Sequence, residues 1–290
     1  MANANNNQPV RVYQKQFAQL LQTVFGVQSQ FAPTFGALQT LDGVQNNATA
    51  FSVKTNDMPV TVGEYSTDAN TAMGTGTGNS SRFGEMKEVI YTDEDVPYAF
   101  KWAFNEGLDR YTVNNDLNAA VADRLALQAE TKTRMFNKKL GAFLVASAAS
   151  DLGTTDDVNA LFEKAVKTYT DLEVVVPIRA YVTADVYNAI IDHQLVTSAK
   201  GSAVNIDSNG ITTFRDITVT KVPTQYMAGK QVIFTPDNIG RAFTGIVTTR
   251  TIETEGFDGV ALQGAGKAGQ FISDDNKKAI FTAGPASTGE

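Results

Sequence analysis

Apolar residues recur along this chain with two periods, and the switches between them mark out its elements. Tyr13, Phe17, Leu20, Leu21 and Val24 lie three and four positions apart, the stripe of an amphipathic helix. Gly26, Pro33 and Gly36 end it, and Asp42-Gly43 and Asn46-Asn47 read as turns. The period then becomes two. Phe51 and Val53 alternate with Ser52 and Lys54, and Val60 and Val62 with Thr61 and Gly63, the alternation of half-buried strands. A polar run, 67–82, containing Gly74, Gly76 and Gly78 separates them from a further strand signal over Met86–Tyr91. Two extended arms around a glycine-rich tip predict a long β-hairpin. Arms of about 15 residues reach ~50 Å, beyond the radius of the domain that carries them. An isolated two-stranded ribbon is at best marginally stable, so this one is expected to lie on a neighbouring molecule.

Beyond the hairpin, Tyr98, Phe100, Trp102 and Phe104 alternate with small or polar residues, a strand whose aromatic face belongs against a core. Asn114, Asn115 or Asp116 then caps a helix with the stripe Leu117, Val121, Leu125, Gln128, Met135, Leu140 and Leu144. It is expected over 116–149, with a possible break at Gly141. About 30 residues at 1.5 Å each give roughly 45–50 Å, long for a globular helix. A mixed region follows. Thr155, Asp156 and Asp157 open a helix through Val166, a strand runs over Arg179–Thr183, and a helix over Ala184–Ile191. Strands are expected over Ile211–Val222, Gln231–Thr235, Arg241–Glu253 and Gly269–Thr282. No fixed-period repeat is present, which excludes solenoids and propellers.

Composition narrows the chemistry more than the fold. The 290 residues include no cysteine and one histidine, His193. Disulfides, thiolate metal sites and cysteine nucleophiles are impossible, and a histidine cluster cannot be built. His193 follows Ile190-Ile191-Asp192 at a predicted helix C-terminus, where a cation meets the helix dipole favourably. The net charge of −7 argues against a nucleic-acid reader with a basic footprint. It permits a container for nucleic acid, whose wall must not grip the duplex. No window is apolar enough for a transmembrane helix, and Met1–Pro9 lacks the basic and apolar regions of a signal peptide. This Asn/Gln-rich start is read as a solvated tail made in the cytoplasm.

Three motifs tempt toward small-molecule chemistry. Gly264-Ala265-Gly266-Lys267-Ala268-Gly269 matches GxGxxG, but a dinucleotide site needs it between a strand and a helix in a βαβ unit. It also misses the phosphate-loop pattern, with Ala261 and Ala268 at the decisive places, and is expected to be a plain turn. Asn205, Asp207, Asn209, Gly210 and Asp216 echo a calcium loop without its closing glutamate or flanking helices. Ser208-Asn209-Gly210 reads instead as a hairpin turn. The acids Asp93, Glu94 and Asp95, and Asp274 with Asp275, are the adjacent charges of solvated turns. No cofactor, metal or catalytic residue is expected.

Polar arm, hairpin with glycine-rich tip, aromatic strand, very long helix, α/β region and closing strands, in that order, resemble the major capsid protein of tailed bacteriophages, the Hong Kong 97-type fold. The resemblance covers nearly the whole chain. It is carried by the hairpin, the long helix, FRDITVTKVPTQYMAGKQVIFTPDNIGRAFTGI at 214–246 and the closing GKAGQFISDDNKKAIFTA, through order and length rather than sharp motifs. It implies an α+β fold with an N-terminal arm at 1–48 and an extended loop at 49–96. A peripheral domain, built from 97–153 and 247–290 around a spine helix, and an axial domain at 154–246 complete it. It further implies a non-enzymatic virion protein whose hexamers and pentamers tile an icosahedral head around double-stranded DNA. Many relatives carry an N-terminal scaffolding extension. The lack of one here implies a separate scaffolding protein or earlier proteolysis, the Met1 start favouring the former, and a portal is implied as well. Some relatives cross-link through a hairpin lysine; Lys54 and Lys87 lie in the arms here and read as ordinary solvated lysines. The expected assembly contacts are Phe51, Val53, Val60 and Val62, with Lys54, Glu64, Arg82, Glu85 and Lys87 as rim charges. Two other readings stay open: an encapsulin-like bacterial nanocompartment shell, and a β-rich surface or adhesion module.

Overall fold

The aromatic strand and the long helix pack directly on one another, and the rest of the body is built outward from them. The computed structural model of the chain describes residues 29–41, 49–56, 58–68, 81–112, 117–192, 204–207, 210–245, 247–253, 256 and 258–284. The predicted helical stripe Tyr13–Val24, the glycine-rich tip, the cap candidates Asn114–Asp116, and His193 lie outside the described residues. The chain divides into two units, one made of 46–97 and the other of 1–45 with 98–290.

In the larger unit, strand β4 (Phe100–Asp109) pairs antiparallel with the 14-residue β13 (Gly259–Ile272). The other edge of β13 pairs with β12 (Thr248–Glu253) and then β11 (Gly240–Thr244), and β1 (Gln39–Thr40) joins β11 in parallel. These five strands form one sheet. A second sheet of seven runs in the order β5 (Ser150–Asp151), β14 (Phe281–Ala283), β10 (Val232–Pro236), β6 (Ile178–Val182), β9 (Ile217–Lys221), β8 (Gly210–Phe214), β7 (Val204–Asp207). Its two faces sort by strand alternation. Ala180, Val182, Val232 and Phe234 face α3 (Val158–Asp171) and α4 (Ala184–Asp192), with Phe162 at the centre of a cluster 5.1 Å from Phe214 and 5.2 Å from Phe234. Tyr181 and Ile233 face the opposite way, onto Leu140, Leu144, Met227, and Phe31 and Phe35 at the ends of the short helix α1 (Ala32–Phe35). Asp157 caps α3 by accepting from Ala160 N at 3.0 Å. A two-toothed Arg179–Asp237 pair, both arms 2.9 Å, ties β6 to the loop after β10.

The long helix α2 covers Leu117–Ala146, 30 residues, and passes Gly141 without a break. That glycine serves packing. A Cβ there would fall 1.8 Å from the carbonyl oxygen of Tyr226, so the helix closes on the short 3-10 turn Thr224–Tyr226 only because position 141 has no side chain. The expected stripe needs one correction. Leu125, Gln128, Leu140 and Leu144 are buried, but Met135 is only partly so, and Lys132 and Phe136 point inward instead.

Four other expectations change, and one is the strand foreseen over Gly269–Thr282, where the helical turn Asp274–Lys277 separates the end of β13 from β14. The single strand foreseen over Ile211–Val222 is the β8–β9 hairpin, turning at Arg215 and Asp216 with φ of 49° and 64°. Two consecutive left-handed residues match strand twist in a tight hairpin, even without glycine. The strand foreseen over Arg241–Glu253 divides into β11 and β12, both laid along β13. The glycine-rich Gly264–Gly269, foreseen as a turn, lies inside β13. Its register explains why. Gly264 pairs with Phe104 and Gly266 with Trp102, and a Cβ at either glycine would lie 2.2 Å or 2.5 Å from those rings. The glycines are the hollows that let two aromatic rings lie flat across the neighbouring strand.

Candidate assembly surface

The smaller unit is a β-ribbon whose strand ladder, among the described residues, lies at its base. Strands β2 (Thr49–Thr55) and β3 (Thr92–Pro97) are antiparallel, with Ser52 donating to Asp95 and Lys54 Nζ 3.2 Å from Asp93 across the ladder. Phe51 and Val53 are half-buried, opposite Val96 and Glu94. Beyond the base the sequence expectation fails: Val60–Val62 and Met86–Tyr91 are not strand. Pro59 offers no N–H, and Gly84 adopts φ +87° in a turn closed by its N–H on Ser81 O at 3.2 Å. Both interrupt a ladder. The arms meet again near the tip, where Ser66 N–H donates to Arg82 O at 2.9 Å and Arg82 Nη1 donates to Ser66 O at 3.0 Å. Tyr65 and Phe83 meet edge to face at 5.2 Å in the same place. Arg82 therefore clasps the two arms of the ribbon to each other.

Between base and clasp the ribbon exposes what a folded chain normally hides. Val60, Val62 and Met86 are 91%, 90% and 95% exposed. Tyr65, Phe83, Val89, Ile90 and Tyr91 also face solvent, and Glu64, Glu85 and Lys87 stand exposed among them. Among the described residues, no backbone hydrogen bond joins 56–65 to 83–91. Contiguous exposed apolar residues rimmed by charge mark an interaction surface. Tyr65, Phe83, Met86 and Ile90 were not among the residues expected to make contact. Their spacing resembles an ordinary strand, and only their exposure singles them out.

In the larger unit, α2 lies along one face of β4 in matched steps. Phe136 meets Phe100 at 5.2 Å. Lys132 Nζ sits 4.1 Å above the Trp102 ring and 4.4 Å above Phe104, whose rings stack at 5.7 Å. Gln128 Nε2 donates to Glu106 at 2.6 Å, and Arg124 donates to both Glu106 oxygens, from Nε at 2.8 Å and from Nη2. Leu125 and Val121 close the row against Leu108 and Leu262. The Arg124 fork, followed by Gln128, holds the Glu106 carboxyl below its usual range. Burial lowers the Lys132 ammonium to about 8, against the negative ring faces, which favour its charged form. The arrangement braces helix on sheet. Among the described residues no group of three or more His, Cys, Asp or Glu side chains could hold a metal, and no helix is long and apolar enough to cross a membrane.

No protein-family model and no curated protein sequence matches the chain. Solved structures do. A structure from Mycobacterium phage Che8 superposes with a TM-score of 0.60 at 15% identity, over 80% of this chain and 83% of that one. The mature capsid of bacteriophage PhiM1 gives 0.61 at 9% identity, over 90% and 88%. A virus-like particle from Pyrococcus furiosus gives 0.54 at 14% identity, over 95% and 99%. At such identities the likeness is one of fold: the chain is an α+β protein with the fold of tailed-phage capsid structures.

Proposed function

We propose that this chain is a structural shell subunit, without catalytic activity, whose copies assemble as hexamers and pentamers into the icosahedral head of a tailed phage around double-stranded DNA. One observation carries the reading: a ribbon with exposed Val60, Val62, Phe83 and Met86 between a paired base and the Ser66–Arg82 contact, in a chain with the capsid fold. Such a ribbon cannot be satisfied within one molecule. Weak contacts repeated by symmetry close a shell and add up to durability. A separate scaffolding protein and a portal complete the proposed set of partners, and the mature location is the virion. The test is sedimentation and electron microscopy of the full chain, alone and with its scaffold partner. Megadalton shells are expected; monomer alone at high concentration under both conditions would refute the reading.

The particle from Pyrococcus furiosus favours a second reading, a nanocompartment shell around protein cargo. Particles isolated from the native host distinguish the two, DNA inside supporting a phage head and enzyme cargo a nanocompartment.

A further inference from the structure

The long helix rests on two supports of different kinds. Over its last turns, Leu140 and Leu144 enter the large apolar cluster with Tyr181, Met227 and Ile233. Over its earlier turns the buried apolar support is thin: Leu125 meets Leu262, and Val121 and Leu108 are only partly buried. Between the two, the inward row of α2 is polar and charged, with Arg124, Gln128 and Lys132 one turn apart over Glu106, Phe104 and Trp102. Segments with few buried apolar contacts open locally before the whole chain unfolds.

Lys132 is the weak member of that row. It is buried, and among the described residues it pairs with no carboxylate. Glu106, the one acid in the row, is already held by the Arg124 fork and by Gln128 Nε2. Gln128 Oε1 and Trp102 Nε1 have no hydrogen-bond partner among the described residues. The rings of Trp102 and Phe104 return part of the lost hydration. A buried charge without a paired partner still costs more than a neutral amine in the same seat, and burial accordingly brings the ammonium down to about 8. On α2 itself the charged neighbours are Arg124, bound to Glu106, and Lys139, 5.9 Å from the Phe100 ring. Opposed residues share a face, and those that β13 and β11 turn to this side, between Leu262 and Ile272 and between Gly240 and Thr244, carry no charge. The strand β12 adds Glu253, opposite Val260 and Leu108. It lies about 20 Å along the sheet from Trp102, at the end where Arg110 pairs with Asp258.

We propose that Lys132 is a proton-sensitive clasp: as the neutral amine it lets 117–133 lie closed on β4, and as the ammonium it loosens that stretch while 140–146 stays anchored. The clasp belongs to the single chain and does not depend on the shell-subunit reading. Its sign follows from linkage. An opened stretch returns Lys132 to water, where the amine holds its proton to about 10.4. Opening therefore takes up a proton between about 8 and 10.4, and is favoured as pH falls through that window. The Glu106 carboxyl, held below its usual range, does not titrate there.

Hydrogen exchange of the full chain, read by mass spectrometry and corrected for the intrinsic pH dependence of amide exchange, tests the clasp. Between about pH 9 and about pH 6.5, peptides within 117–133 should lose about tenfold in protection, the linked change for one proton. Peptides within 140–146 should hold theirs. Lys132→Met, which has no proton to take up, should be protected alike at both pH values. Lys132→Arg, charged throughout, should be open at both. If 117–133 and 140–146 respond together, or if Lys132→Met keeps the wild-type pH response, the clasp is wrong. Should Lys132→Arg fail to fold, as judged by circular dichroism, the comparison of wild type with Lys132→Met decides alone.

Discussion

Lys132 is where sequence and structure diverge most sharply at the level of one residue. It sits in the inward row of α2 between Gln128 and Phe136, 7% exposed, its ammonium over two stacked rings. A stripe argument passes over it because lysine is rarely buried; Met135, the residue chosen instead, is only partly buried. Lysine succeeds here because its stem packs like an aliphatic chain while the ring faces replace part of the lost hydration. Its lowered pKa makes a pH prediction. The folded chain releases this proton near pH 8, whereas the unfolded chain keeps it to about 10.4. Between those values the unfolded state binds more protons, so stability rises with pH. In urea unfolding, wild type should gain about 2 kcal/mol on Lys132→Met between pH 7.5 and 10. A difference that stays flat across this window would mean that the amine is not desolvated.

At the level of elements, α2 is long because it serves two layers. Its first two-thirds brace β4, and Leu140 and Leu144 reach the seven-stranded sheet. Gly141 stands where the second layer begins. In an ordinary helix interior, glycine to alanine stabilises by about 1 kcal/mol. Here the added methyl meets the Tyr226 carbonyl, so Gly141→Ala should destabilise by roughly 2–3 kcal/mol, in the range for overpacking. Thermal unfolding followed by circular dichroism measures it, and a rise in midpoint would contradict this packing. The same logic explains the glycines of β13. Gly264 and Gly266 look like a nucleotide loop when read along the chain and become hollows for Phe104 and Trp102 when read across the sheet.

At the level of the whole molecule, the residues that stabilise the fold and those that the shell-subunit reading assigns to assembly are different ones. Val60, Val62 and Met86 touch little in the isolated chain. Replacing all three by serine should change the unfolding free energy by no more than about 0.5 kcal/mol, as for surface sites. On the shell-subunit reading, assembly, measured by light scattering, should nevertheless be lost, because the exposed apolar area is then what a neighbour removes from water. Equal loss of stability and assembly would make the ribbon part of the subunit's own core.

Much of the architecture is legible in the chain. Hydrophobic periodicity locates α2, α3 and α4, the paired base of the ribbon, and the aromatic strand, because burial of one face leaves a period that local geometry dictates. Composition alone removes cysteine and histidine-cluster chemistry. Pairing is a different kind of information. The division of Ile211–Val222 at Arg215-Asp216, the laying of both β11 and β12 on β13, and the placing of glycines under rings are all settled by residues distant in the chain. So is the exposure of the ribbon's arms. Alternation states that a segment can have two unlike faces; only the tertiary structure decides whether anything comes to cover either one. Val60, Val62 and Met86 remain exposed, and on the proposed reading that surface is the one a second copy would cover.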